Sequence, residues 1–202
     1  MADLSINHMD RQQQIIRASA ALFDRVGYHG ASMQMIADAV NLGKPTLYHY
    51  FRSKSEILFA MHKELVTELL ESHRQRAAQT DHPDKLLQGL CYDTLAFIDN
   101  YPGYVRAFFE HYDDLDQPQQ EAVRIQRRNY LKMVINIIRK GIDDGTFVEC
   151  NPRTAALGFL GMCTWAYQWL PRNDSVNLQC VADDLSRLVL NGLMQPVRKR
   201  DR

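Results

Sequence analysis

Lys44, Thr46, Tyr48, His49 and Tyr50 set an ammonium, three hydroxyls and an imidazole within seven consecutive residues. No nucleophile and base are paired in this run. It suits a helix lying in a DNA major groove, with its N-terminal end toward base edges and its flanks toward phosphates. Leu47 and Phe51 read as core. Tyr48 is expected to pack its ring inward and offer its hydroxyl to a phosphate. Lys44, at the helix start, and Lys54, just past the helix, are expected to meet phosphates. No other constellation competes. Glu110-His111 with Asp113 and Asp114 lacks catalytic spacing, so no enzyme activity is expected. The seven histidines show no HxxxH or HExxH spacing, so neither metal nor cofactor is expected. Cys91, Cys150, Cys163 and Cys180 form no CxxC pair and read as buried, reduced thiols.

These groups need helices to present them. Ser32 is a good N-cap for a short helix from Met33 to Val40, and it would also set a helix N-terminus where a phosphate oxygen can sit. Asn41-Leu42-Gly43 breaks that helix, with Asn and Gly both tolerant of positive φ. A second short helix, Lys44 to Tyr50, accepts Pro45 in its first turn, where no N–H is needed. Two short helices joined by a three-residue turn containing Gly make a helix-turn-helix. Ahead of them the spacing predicts a helix over Asp10 to Val26, stopped by Gly27. Behind them Ser53 and Glu56 form a capping box opening a helix to about Gln79. Further helices are predicted near 83–100, 102–113, 118–143, 152–170 and 177–194. The class is all-α with about nine helices: a DNA-binding domain over 1–54 and an effector-binding and dimerisation domain over 55–202.

Net charge is zero, but residues 1–54 hold six Lys/Arg against four Asp/Glu, and Lys44–Lys54 holds three basic residues and no acidic one. The basic character is therefore local to a small reading head. No apolar run reaches the roughly 18–20 residues of a membrane span, and the start lacks the order of a signal peptide. A cytoplasmic location and no membrane partner are expected.

The stretch LFDRVGYHGASMQMIADAVNLGKPTLYHYFRSKSEIL resembles the N-terminal domain of the TetR family of transcriptional regulators. Gly27-Tyr28, Ser32, Ile36-Ala37, Thr46-Leu47-Tyr48, Phe51, Lys54 and Leu58 fall where that pattern puts them. The resemblance implies DNA contacts at Ser32, Lys44, Thr46, Tyr48, His49, Tyr50 and Lys54, to which Gln34 and the backbone N–H of Gly43 are added. Three positions depart from the common pattern. Asn41 replaces a turn Gly, Gly43 a capping Ser or Thr, and Pro45 a Gly or Ala.

In the remaining chain, residues 155–163 are apolar all round, predicting a helix buried on every side. Leu178, Val181, Leu185, Leu188 and Val189 form one stripe of the last helix. Together these helices resemble the family's four-helix homodimer interface. A two-fold axis would then set two reading helices about 34–36 Å apart, in successive major grooves of a palindromic double-stranded operator. Aromatic residues gather at Phe97, Tyr101, Tyr104, Phe108, Phe109 and Tyr112, and again at Trp165, Tyr167 and Trp169. Individually these are core candidates, and as a set they suggest a cavity for a large apolar ligand.

GYVRAFFEHY, GIDDGTFVECNPRTAA and GMCTWAYQWLP are similar to TetR regulators that sense acyl-CoA thioesters. That similarity implies Trp165 and Trp169 against the acyl chain and Arg106, Arg124, Arg127 or Arg128 against phosphates. The effector candidates are Phe97, Tyr101, Arg106, Phe108, Tyr112, Arg127, Tyr130, Met133, Trp165 and Trp169. The expected function is repression relieved by a hydrophobic effector, best an acyl-CoA. The alternatives are a drug-sensing regulator of efflux and a helical homodimeric module without DNA affinity.

Overall fold

The computed structural model describes residues 2–101, 103–170 and 177–194, without the side chains of 2–10. Among the described residues there are nine α-helices and no strand; the one extended pairing is an isolated bridge between Phe147 and Met194. They are α1 (Ala2–Val26), α2 (Met33–Ala39), α3 (Lys44–Tyr50), α4 (Lys54–Ala77), α5 (Pro83–Asn100), α6 (Tyr104–Glu110), α7 (Gln117–Asp143), α8 (Pro152–Trp165) and α9 (Leu178–Leu193). Short 3-10 turns follow α6 at Tyr112–Asp114 and α8 at Ala166–Gln168. None of the described helices is long and apolar enough to cross a membrane.

The all-α expectation holds, with shifts at the ends. The first helix begins at Ala2 rather than near Asp10, and the helix expected over 102–113 is shorter, Tyr104–Glu110. The break expected at Leu170-Pro171-Arg172-Asn173 lies, from 171 on, outside the described residues. Gly27 ends α1 at φ +76, as its lack of a Cβ allows.

The chain divides into two compact units: residues 1–67 with 98–126, and residues 68–97 with 127–202. In the first, α1 packs on α2 and on α6, and α2 packs on α3. Its core is built from Ile15, Ile16, Leu22 and Phe23 of α1, Ile36 and Ala37 of α2, Leu47 of α3 and Ile57, Leu58 and Met61 of α4. At the α1–α6 contact Gly103 takes φ +90, and a Cβ there would collide with the backbone oxygen of Ala20. Arg106 reaches back across the same contact to Asp24 at 3.4 Å. The expected boundary at residue 54 falls inside this unit, which continues into α4 and takes in α6.

The second unit is centred on Leu87, Leu90, Cys91 and Leu95 of α5, Val134, Ile137 and Ile138 of α7, Phe147, and the inner residues of α8 and α9. The expectation that α8 is buried on every side is not met in the single chain. Ala156, Phe159 and Cys163 are buried, whereas Leu157 is 50% and Trp165 59% exposed. Likewise α9 buries Ala182, Ser186, Leu190 and Leu193, and the expected stripe lies to one side of that face, with Leu188 71% exposed. Helical periodicity finds an apolar stripe but not which neighbour covers it. The thiols divide as well: Cys91 and Cys163 are buried, Cys150 is half-buried and Cys180 exposed, which corrects the reading that all four are buried.

Candidate nucleic-acid interface and effector residues

The reading head is held by local rules. Ser32, in extended backbone, accepts a hydrogen bond from Met35 N at 3.1 Å and so starts α2. Asn41 then takes the left-handed conformation, φ +53, and turns the chain. Gly43 does not share that role. Its φ of −66 is ordinary, and it serves as the N-cap of α3 without a side chain to cap it. Pro45 occupies the first turn of α3, where a missing N–H is harmless.

Of the seven residues of α3, Leu47 alone is buried. Lys44, Thr46, Tyr48 and His49 are exposed, and Tyr50 is half-exposed. Tyr48 is 42% exposed, so the ring expected inside is only partly covered. A short helix anchored by a single leucine, with a cation, hydroxyls and an imidazole outward, is a surface prepared for a polar partner. Ser32, Gln34 and Gly43 are exposed beside it. The Gln34 amide is engaged, donating to Asp38 Oδ1 at 2.7 Å.

Lys54 is engaged within the head itself. Its ammonium donates to the Tyr28 carbonyl at 2.8 Å and the Ala31 carbonyl at 2.6 Å, and it lies 4.7 Å from the centre of the Tyr28 ring. Two of its three N–H groups thus hold the loop that leads into α2. Desolvation pulls its pKa down, against the opposing effect of the Asp114 carboxylate. Nearby, Glu56 N donates to Ser53 Oγ, while the Glu56 carboxylate accepts from Arg52 N at 2.6 Å. The capping box closes one residue earlier than the motif implies.

The same loop carries a cluster that spacing did not disclose. His29 Nε2 lies 3.5 Å and His111 Nδ1 3.0 Å from Asp114 Oδ2. Tyr28 stacks on His111 with ring centres 5.0 Å apart, and its phenol is pushed up to about 12 by burial and then by the Asp114 charge. Only the packing of α1 against α6 brings these residues together, so no motif could have found them.

The ten effector candidates fall in both units. In the first, Tyr101 accepts from Arg17 at 3.3 Å, Arg106 pairs with Asp24, Phe108 packs on His62 with ring centres 4.6 Å apart, and Tyr112 donates to the Gln120 carbonyl at 3.0 Å. In the second, Phe97 and Tyr130 are buried, Arg127 and Met133 are half-buried, and Trp165 and Trp169 are exposed. An open cavity of about 460 Å³ in that unit is lined by His73, Asn129, Lys132, Met133, Asn136 and Lys140 among others. Met133 alone of the candidates lines it. Lys140 also pairs with Asp81 at 2.9 Å, and burial pushes the His73 imidazole down. Arg124, named for phosphate, pairs with Glu121.

A helix-turn-helix head with an outward polar α3, joined to a helical body, is the architecture of a DNA-binding transcriptional regulator. Residues 15–61 match the family described as bacterial regulatory proteins, tetR family, and residues 80–193 match the tetracyclin repressor-like C-terminal domain. The chain belongs to the TetR family.

Among its relatives is the transcriptional repressor KstR2 of Mycobacterium tuberculosis, 23% identical over 91% of this chain and 92% of that protein. The ketosteroid regulator KstR2 structure from that organism superposes with a TM-score of 0.83 at 21% identity, over 92% of this chain and 96% of the other. The transcriptional activator FasR of Mycolicibacterium smegmatis is 29% identical over 81% of this chain and 73% of its own. The structure of AibR in complex with isovaleryl coenzyme A and operator DNA matches with a TM-score of 0.77 at 23% identity, covering 88% and 97% of the two chains.

Proposed function

We propose that this regulator is a homodimeric repressor that leaves a palindromic operator when an acyl-CoA thioester binds its helical body. The observation that carries the DNA contacts is the outward face of α3, with Leu47 as its one buried residue. On this reading Lys44 and Tyr48 meet phosphates, Thr46 and His49 face base edges, and Ser32, Gln34, Gly43 and Tyr50 flank them. Lys54 supports the loop behind these groups. The acyl-CoA reading is supported by AibR, which binds isovaleryl coenzyme A and DNA on the same overall fold. KstR2 supports repression, and FasR marks activation as the other sign the same scaffold can take.

Homodimerisation is supported by the apolar surface left on α8 and α9. Leu157, Trp165 and Leu188 stand exposed, and a Cβ at Gly158, Gly161 or Gly192 would meet nothing. Helices with small residues on an open apolar face can approach a second copy closely. The mechanism is a population shift. An effector that binds better to a dimer whose heads are off operator spacing weakens DNA binding, and DNA weakens effector binding by the same factor.

The test uses an operator duplex selected from a random pool by the protein, read by fluorescence anisotropy. Lys44→Ala should weaken binding and reduce the salt dependence, while Tyr48→Phe should weaken it several-fold with the dimer intact. Acyl-CoAs of increasing chain length are then titrated against the complex. Release by a defined range of lengths supports the effector class; retention at every length overturns it. Tightening in place of release assigns activation.

A further inference from the structure

We propose that His29, His111 and Asp114 form a binding site for a divalent transition-metal ion of the zinc class, fastening the loop before α2 to the turn that follows α6. Each residue offers one donor atom, and the three atoms lie within 4.8 Å of one another. In a tetrahedral zinc site, N and O ligands about 2.0–2.2 Å from the metal stand roughly 3.3–3.5 Å apart. The separations of 3.0 Å from His111 Nδ1 and 3.5 Å from His29 Nε2 to the Asp114 oxygen are already close to that spacing.

The surroundings hold the rings in place. Tyr28 stacks on His111 at an interplanar angle of 30° and meets His29 edge-on at 79°, with ring centres 5.4 Å apart. The two imidazoles are nearly perpendicular, at 85°, so they do not lie flat on one another. His111 and Asp114 are half-buried, whereas the His29 side chain is 75% exposed, which leaves the cluster open to an incoming ion. Two neutral imidazoles and one carboxylate suit zinc and its neighbours, whereas calcium and magnesium prefer oxygen ligands. Three protein ligands also leave a coordination position for water.

The consequence follows from where the ligands sit. His29 belongs to the loop that ends at Ser32, the cap of α2, and its partners lie just beyond α6. An ion held between them fixes the entrance to the helix-turn-helix against a second element of the same unit. Its effect on operator affinity rests on the function proposed above, but metal binding itself does not.

Untagged full-length protein titrated with Zn2+ by calorimetry, and with Co2+ by visible absorption, tests the site. We expect one ion per chain, a rise in Tm with zinc, and slower amide hydrogen exchange over residues 27–31. His29→Ala removes an exposed ligand with little risk to the fold, and Asp114→Asn removes the charge. Each should weaken binding at least about tenfold and abolish the zinc-dependent Tm rise. His82→Ala, at an exposed histidine of the other unit, should change neither. Binding as tight in His29→Ala as in the parent overturns the assignment, as does no binding at micromolar zinc. Unchanged exchange over the loop overturns the fastening role.

Discussion

Replacing Lys54 by Met separates two jobs that one ammonium can do. The structure shows Lys54 donating to the Tyr28 and Ala31 carbonyls and facing the Tyr28 ring. Hydrogen bonds to a charged group contribute about 1.5–3 kcal/mol each, and a partly exposed cation–π contact about 0.5–1 kcal/mol. Those figures are upper bounds here, because Gly27, His29, Gly30 and Ser32 are exposed and water can reach the loop. Methionine also keeps most of the apolar stem in place. The expected loss is about 2–3 kcal/mol, which for a chain of this size lowers Tm by roughly 5–10 °C. Thermal unfolding followed by circular dichroism measures it. The salt dependence of operator binding gives an independent reading. A lysine that neutralises one phosphate in each protomer contributes about 0.9 per site to the slope of log K against log salt, hence about 1.8 per dimer. Lys54→Met should therefore leave the slope unchanged while lowering Tm. A Tm unchanged within about 1 °C, together with a slope reduced by nearly two, would refute this reasoning and make Lys54 a phosphate ligand.

Gly43→Ser should be tolerated. Its φ is ordinary and a Cβ there meets only van der Waals contacts at 3.8 Å. A serine N-cap should stabilise the protein by about 0.3–0.5 kcal/mol and tighten DNA binding through its hydroxyl; a drop in Tm would contradict the capping geometry. Glu64 tests linkage. Burial raises its pKa more than the Tyr104 hydrogen bond at 3.1 Å and the Arg17 charge lower it. A carboxyl with a raised folded pKa favours the fold at low pH and loses that contribution as pH rises through the folded value. Glu64→Gln, which cannot ionise, should therefore raise Tm at pH 7, with the gain vanishing below the ordinary glutamate range. A gain that persists at low pH would show that charge is not the cause. Leu188→Glu places a charge on the most exposed apolar residue of α9 and should give a folded monomer by analytical ultracentrifugation; an unchanged dimer would remove α9 from the interface.

Much of the head is legible in the chain because its determinants are short-range. The Ser32 cap, the left-handed Asn41, the Pro45 first turn and the Gly27 stop each act within one helical turn. Residue type and spacing are enough to place them. The polar run from Lys44 to Tyr50 is legible for the same reason: in a short helix with one buried residue, type and spacing already mark the exposed face. The body is less legible. An apolar stripe on α9 is plain from periodicity, yet the face that packs inside the chain is Ala182, Ser186 and Leu190, because the neighbours and not the stripe choose the contact. Arg106 and Tyr101, both effector candidates, also hold α1 against its neighbours. Chemistry suited to binding a ligand is equally suited to binding the protein itself.

By itself, the sequence determined an all-helical regulator with a helix-turn-helix head, since caps, breaks and a 3.6-residue period are properties of adjacent residues. Tertiary structure alone decided where Lys54 sends its protons, which side of α8 stays open, and that His29 meets His111 and Asp114. These contacts join residues far apart along the chain, whose meeting depends on how α1 docks on α6. Local spacing carries no record of that docking, because it comes from the fit of buried surfaces summed over the whole unit.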